Sequence, residues 1–255
     1  MFSCSLAMPM DKIEGRNPVM EALRAGREID KILVAKGTRG GSLIKILGKA
    51  KDKGIPVQYV ERQKINEMSL SNAHQGIIAV VAAHRYVQFE DIIEGAKNRG
   101  KDPFILILDK ITDPHNLGSV IRTADAVGAD GVIIPKRHSV GLTAVVAKSS
   151  AGAIEYVPVA KVPNIAQTIE RIKEKGIWVA GAHGDAEKEH YNTDLKGPLA
   201  LVIGSEGKGI SRLIKEKCDF LVKIPMVGEI SSLNASVAAA VLMYEVFRQR
   251  ASIDG

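Results

Sequence analysis

FILILDKITDPHNLGSVIRTADAVGADGVII (residues 104–134) decides how the chain folds. Its opening, Phe104 to Asp109, is a continuous apolar run of the kind that a strand buried on both sheet faces requires. Asp113 with Pro114, or alternatively Asn116, can cap the helix that follows; this helix carries Arg122 and stops near Gly128. A second apolar run, GVII, comes next. Strand, helix and parallel strand in this order form the repeating unit of a doubly wound α/β sheet. WVAG (178–181), LALVIG (199–204) and FLVKI (220–224) repeat the apolar character, with helical segments between them. Residues 103–255 are therefore expected to form a mostly parallel sheet with helices on both faces.

Upstream, short helices alternate with short β-branched runs, which predicts a small α/β domain over residues 11–84. Asn17 as cap, Pro18 at the first helical position and Gly26 as stop outline one helix, and Ser42 to Lys53 closed by Gly54 outlines another. Lys31 to Ala35, Pro56 to Val60 and Ile77 to Ala82 read as strands. Periodicity weakens over 85–102, read as a linker with a polar helix around Glu90 to Asn98. Residues 1–10 read as a flexible tail, with Met10 as an alternative start.

Of 255 residues, 45% are hydrophobic and 25% charged, which suits a globular protein with a real core. Lys+Arg number 35 against 29 Asp+Glu, a balance that suits a polyanionic partner such as RNA. Cys4 and Cys218 are the only cysteines and stand far apart, so neither a disulfide framework nor a zinc site is supported, and a reducing cytoplasm is the expected compartment. His115, His138, His183 and His190 show no metal-ligand spacing, and Trp178 reads as core. No apolar run approaches the roughly 18 residues of a membrane span.

In doubly wound sheets ligands sit beyond the carboxyl ends of the strands, so the loops after the apolar runs are where chemistry belongs. The first holds Asn116 and Arg122, which could equally be a helix cap and a surface partner for Asp125. The second, LVIGSEGKGIS (201–211), is a glycine turn. It is a poor phosphate cradle, because Ile210 follows Gly209 where a Walker loop needs Lys, and Glu206 places a carboxylate where phosphates would lie. Glycines let a flat ligand approach the backbone, and a carboxylate suits a cationic cofactor. The third, KIPMVGEISSLNASVAAAVLMYEVFRQR (223–250), brings Ser231, Ser232 and Asn234 ahead of a helix rich in small residues. Asn234 as a plain cap is the simpler alternative.

Taken together and in this order, the three segments resemble the motifs of the SPOUT superfamily, in its TrmH/RlmB branch of RNA ribose 2′-O-methyltransferases. IEGRNPVMEALRAG (13–26) and HQGIIA (74–79) are similar to the accessory RNA-binding domain of RlmB-type members. The resemblance implies a deep trefoil knot in the C-terminal domain, S-adenosylmethionine as cofactor, no metal, and a homodimer with composite active sites. It implies a catalytic set of Asn116, Arg122, Glu206, Ser232 and Asn234, with cofactor contacts at Ile203, Gly204, Ile224, Met226 and Leu233. Arg16, Asn17, His74 and Gln75 are the implied RNA contacts, each with a plain structural alternative. The implied substrate is a guanosine ribose in 23S rRNA; tRNA, or a ribosome-assembly role without catalysis, are the alternatives.

Overall fold

In the computed structural model the described residues are 10–27, 29–69, 73–82, 85–229 and 232–251. The chain forms two compact units, Met1–Arg85 with Leu142–Tyr156, and Tyr86–Gly141 with Val157–Gly255. The tail before Met10 lies outside the described residues.

The first unit is a four-stranded sheet of order β1-β4-β2-β3, built from β1 (Met10–Glu14), β2 (Ile29–Ala35), β3 (Val57–Val60) and β4 (Ile77–Ala82). Helices α1 (Arg16–Arg24) and α2 (Gly41–Asp52) close one face, where Val19, Leu23 and Ile46 pack with Ile32, Val34 and Ile77. Helix α3 (Arg62–Met68) closes the other, with Ile65 against Leu33, Ile78 and Val80. Met10 belongs to β1, paired with Ala82, and so is not part of a tail. Asn17 is not the cap of α1: Gly15 holds that position at φ 93°, and the Arg16 N–H donates to Gln75 Oε1 at 3.2 Å. A side chain remote in sequence thus closes the helix end.

Residues 142–156, expected with the second domain, pack in this unit through α6 (Ala144–Ser149) and a short 3-10 turn. Arg27 and Glu155 form an ion pair at 2.7 Å with both side chains less than a tenth exposed. Tyr156 donates to Glu21 Oε2 at 2.8 Å.

The second unit is a six-stranded sheet of order β10-β8-β9-β5-β6-β7, parallel throughout. Its strands are β5 (Phe104–Asp109), β6 (Gly131–Pro135), β7 (Val159–Val162), β8 (Trp178–Ala182), β9 (Leu199–Gly204) and β10 (Phe220–Val222). β5, β6 and β9 are buried at every position, as their unbroken apolar runs require. Helices α4 (Phe89–Asn98), α7 (Ile165–Lys173) and α8 (Arg212–Lys217) cover one face, packing on Ile105, Ile107, Val179 and Val202. Helices α5 (Pro114–Ala126) and α9 (Ala235–Ala251) pack on each other, and against β6 and β9 respectively. The stretch read as a linker carries α4, whose Phe89, Ile92, Ile93 and Ala96 are buried at helical spacing. Trp178 is not core: at the start of β8 it alternates away from buried Val179 and is 60% exposed. Among the described residues no helix is long and apolar enough to cross a membrane.

Candidate active site

β5 and β9 lie side by side, with Asp109 opposite Gly204 at their carboxyl ends. The chain leaves β5 towards β6 on one side, and leaves β9 for β10 at the opposite edge of the sheet. Adjacent strands whose connections diverge open a crevice between them, and here the crevice is filled by the loops singled out in the sequence.

The loop after β9 turns back on its own strand. A Cβ on Gly204 would lie 1.9 Å from the carbonyl carbon of Gly209 and 2.1 Å from the nitrogen of Ile210, so glycine alone fits. Gly209 N donates to Ser205 O at 2.8 Å, and Asp109, 4% exposed, accepts from Ser211 N at 2.8 Å. That carboxylate ties the far end of the loop to β5. Sequence reasoning passed over it, although an acid ending an otherwise apolar strand was a signal.

Three polar side chains meet above the crevice. Asp113 caps α5 by accepting from His115 N at 2.9 Å, so Asn116, one residue further into the helix and 6% exposed, has no capping duty. Its Nδ2 donates to Glu206 Oε1 at 2.9 Å. Asn234 Nδ2 donates to Asn116 Oδ1 at 3.0 Å and to the same Glu206 oxygen. Asn234 Oδ1 meanwhile caps α9, accepting from Ser236 N at 2.9 Å and Val237 N at 3.3 Å. Capping and site-building are thus performed together by one side chain. Hydrogen bonds to a carboxylate contribute about 1.5–3 kcal/mol each, so this junction locks three loops into one arrangement.

Beside it opens a cavity of about 860 Å³ lined by Ile203, Gly204, Glu206, Ile224, Met226, Ser232 and Leu233, which include all five expected cofactor contacts. The volume falls within the usual range for small-molecule and cofactor sites. Apolar walls at Ile203, Ile224 and Leu233 suit an adenine ring, Gly204, buried under its own turn, lines the cavity without a side chain, and the Glu206 carboxylate suits a sulfonium. The donor set therefore fits S-adenosylmethionine. His183, passed over in the sequence, also lines the cavity; its Nδ1 accepts from Asp185 N at 3.1 Å. Ser231 lies outside the described residues.

Arg122 is not part of the junction. It is exposed on α5 and makes no hydrogen bond or ion pair among the described residues, so the surface pairing with Asp125 is not formed. Cys218 is no nucleophile: burial pushes its thiol up to about 12. In the first unit Arg16, Asn17 and Gln75 line a common cleft. His74 does not join them; 4% exposed, it accepts from Gly76 N at 2.9 Å through Nδ1, and its Nε2 pairs with Asn66 Oδ1 at 2.9 Å. With Nδ1 accepting, Nε2 carries the proton of a neutral ring. Burial first, then the charge of Arg62, pushes its pKa down. His74 builds the turn that presents Gln75.

These features define a two-unit α/β enzyme with a cofactor-sized cavity at the switch point of a parallel sheet. Residues 103–244 match the family described as the SpoU rRNA Methylase family, and residues 12–87 match the domain described as RNA 2′-O ribose methyltransferase substrate binding. YacO of Bacillus subtilis (strain 168), named for the TrmH family of tRNA/rRNA methyltransferases, is 53% identical, over 94% of this chain and 96% of its own. A Staphylococcus aureus (strain MSSA476) protein named for the same family is 51% identical, over 93% and 96%. The SpoU methyltransferase AviRb from Streptomyces viridochromogenes, solved with AdoMet, has a TM-score of 0.80 at 25% identity, covering 96% of this chain and 92% of its own. The chain belongs to the SpoU rRNA methylase family and is an S-adenosylmethionine-dependent RNA ribose 2′-O-methyltransferase.

Proposed function

We propose that the chain methylates the ribose 2′-hydroxyl of a guanosine in 23S rRNA, and that it does so in the cytoplasm as a homodimer whose second unit carries a deep trefoil knot. The observation that carries the reading is Glu206, which lines the cavity while bonding Asn116 and Asn234. Its carboxylate thereby links the cofactor's place to the polar groups of two other loops. An rRNA is favoured over tRNA by the description of the family matched and by the substrate-binding unit ahead of the catalytic one, and the large subunit by the RlmB-type resemblance. Guanosine follows the RlmB-type resemblance.

S-adenosylmethionine supplies an electrophilic methyl group on a sulfonium, so what the protein must provide is alignment of the ribose oxygen and stabilisation of the charge it develops. Ile203, Gly204, Ile224, Met226 and Leu233 would hold the cofactor. Ser232 orients the ribose through a neutral hydrogen bond, and Asn234, whose amide is taken up by Asn116, Glu206 and the cap of α9, holds the loop. Arg122 clamps an RNA phosphate through its guanidinium and stabilises the developing alkoxide. Its exposure and the absence of any hydrogen bond or ion pair to it among the described residues support a role in a composite site shared between two protomers.

Labelled S-adenosylmethionine and unmodified 23S rRNA test the reading, with alkaline hydrolysis reporting ribose methylation as a protected linkage. One protected linkage 3′ to a guanosine is expected. Label without protection refutes ribose chemistry, and transfer to tRNA alone refutes the substrate.

A further inference from the structure

The first unit holds a cleft of about 570 Å³ lined by Arg16, Arg39 and Arg62, with Thr38, Ser42 and Gln75 among its other side chains and, among the described residues, no acidic one. Arg16 is fixed in it. Its Nη1 donates to Ser42 Oγ at 3.0 Å and its Nη2 to Arg39 O at 2.9 Å, while its backbone N–H donates to Gln75. Gly40 makes room for this, since a Cβ there would lie 2.7 Å from Nη1. Two of the five guanidinium N–H groups are held in this way and the one on Nε is shut off from solvent, so a second N–H on each of Nη1 and Nη2 is left for a ligand. Arg39 and Arg62 are exposed, and their side chains form no hydrogen bond or ion pair among the described residues. Three like charges therefore face one small space without a counter-charge among the described residues lining it.

Two further observations mark this cleft as built for a ligand. Arg16 Nε and Thr38 Oγ1 are shut off from solvent without a hydrogen-bond partner; among the described residues Arg250 Nε is the one other such atom. Leaving a buried polar atom unpaired costs about 1–3 kcal/mol, and two of the three such atoms among the described residues fall at this one cleft. The backbone around the cleft is also held in the left-handed region, at Gln75 (φ 52°), Gly37 (φ 79°) and Gly40 (φ 135°). For Gln75, which carries a Cβ, that conformation is a local cost of the kind concentrated at binding sites.

We propose that this cleft binds a single backbone phosphate of the substrate RNA, with Arg16 as the fixed donor and Arg39 and Arg62 closing on the anion. Guanidiniums match phosphate oxygens in pairs, and a tetrahedral anion can accept from all three. The inference rests on the reading of the chain as an RNA methyltransferase and gives its substrate-binding unit a specific contact. Neutral Asn17 and Gln75 at the same cleft are suited to the adjoining ribose or base edge.

The experiment uses the full chain, with an unmodified 23S rRNA transcript and with a generic oligouridine, binding being measured across a salt series. In the double variant Arg39→Gln/Arg62→Gln the slope of log K against log salt should fall by about 0.7–0.9, the value for one phosphate contact. KM for RNA should rise several-fold with kcat and S-adenosylmethionine affinity unchanged, and Arg39→Lys/Arg62→Lys should restore most of the slope. An unchanged slope with both RNAs overturns the proposal, whether or not methyl transfer is intact. A slope change of two or more overturns the single phosphate. Failure of the wild type to methylate any RNA, with the slope difference still present, would indict the substrate reading and leave the cleft standing.

Discussion

Replacing Gly204 with alanine tests how the cavity is built. The new methyl would stand 1.9 Å from a backbone carbon and 2.2 Å from the Gly209 oxygen, so the turn would have to withdraw by about 1.5 Å to reach ordinary contact at about 3.4 Å. The loop is pinned by Gly209 N to Ser205 O, Ser211 N to Asp109, and Glu206 to Asn116 and Asn234. A shift of that size breaks at least the Asp109 and Asn116 bonds, both to carboxylates and each worth about 1.5–3 kcal/mol. The loss of about 3–6 kcal/mol falls on the closed loop and, through it, on cofactor binding, since every 1.4 kcal/mol is tenfold in affinity. Isothermal titration with S-adenosylmethionine should show affinity reduced at least about 100-fold in Gly204→Ala, the low end of that range. Affinity within about threefold of the wild type would refute the claim that the turn at Gly204 shapes the cavity.

Arg122→Ala should abolish methyl transfer while leaving cofactor affinity within a few fold, because Arg122 touches neither the junction nor the cavity lining; equal loss of both would make it a pocket residue. Arg27→Ala removes the ion-pair partner of the Glu155 carboxylate, whose pKa burial already raises against the opposing pull of Arg27. Urea unfolding should show a loss of about 3–5 kcal/mol, largely recovered in Arg27→Met/Glu155→Met, and additive losses in the double variant would contradict the pairing. His74 has a folded-state pKa below its usual 6.5, so it binds protons more weakly folded than unfolded. Its contribution to stability is complete above about pH 6.5 and declines as pH falls, by up to about 1.4 kcal/mol per unit. Melting curves from pH 5 to 8 should show a slope that flattens in His74→Gln; an identical slope in both proteins would refute it.

What the sequence made legible was whatever a local pattern controls. FILILD and LALVIG are unbroken apolar runs because both faces of β5 and β9 are covered, and burial at every position follows. Gly204, Glu206 and Asn234 stood out because the loops after such strands are where ligands sit. Long-range pairing was illegible. MDKIE becomes β1 only because β4 lies beside it, and Asn17 lost the cap of α1 to Gln75, 59 residues from Arg16. Residues 142–156 join the first unit through long-range contacts such as the buried ion pair between Arg27 and Glu155, which no window of sequence contains. Asp109 escaped notice because its partner is a backbone N–H 102 residues away.

The central claim is that the cavity at the ends of β5 and β9 holds the cofactor. A crystal structure of the chain with S-adenosylhomocysteine tests it most directly. The ligand should lie against Ile203, Gly204, Ile224, Met226 and Leu233, with Glu206 on its sulfur side and still bonded to Asn116. Ligand bound elsewhere, or a Glu206 turned away from both Asn116 and the ligand, would contradict it.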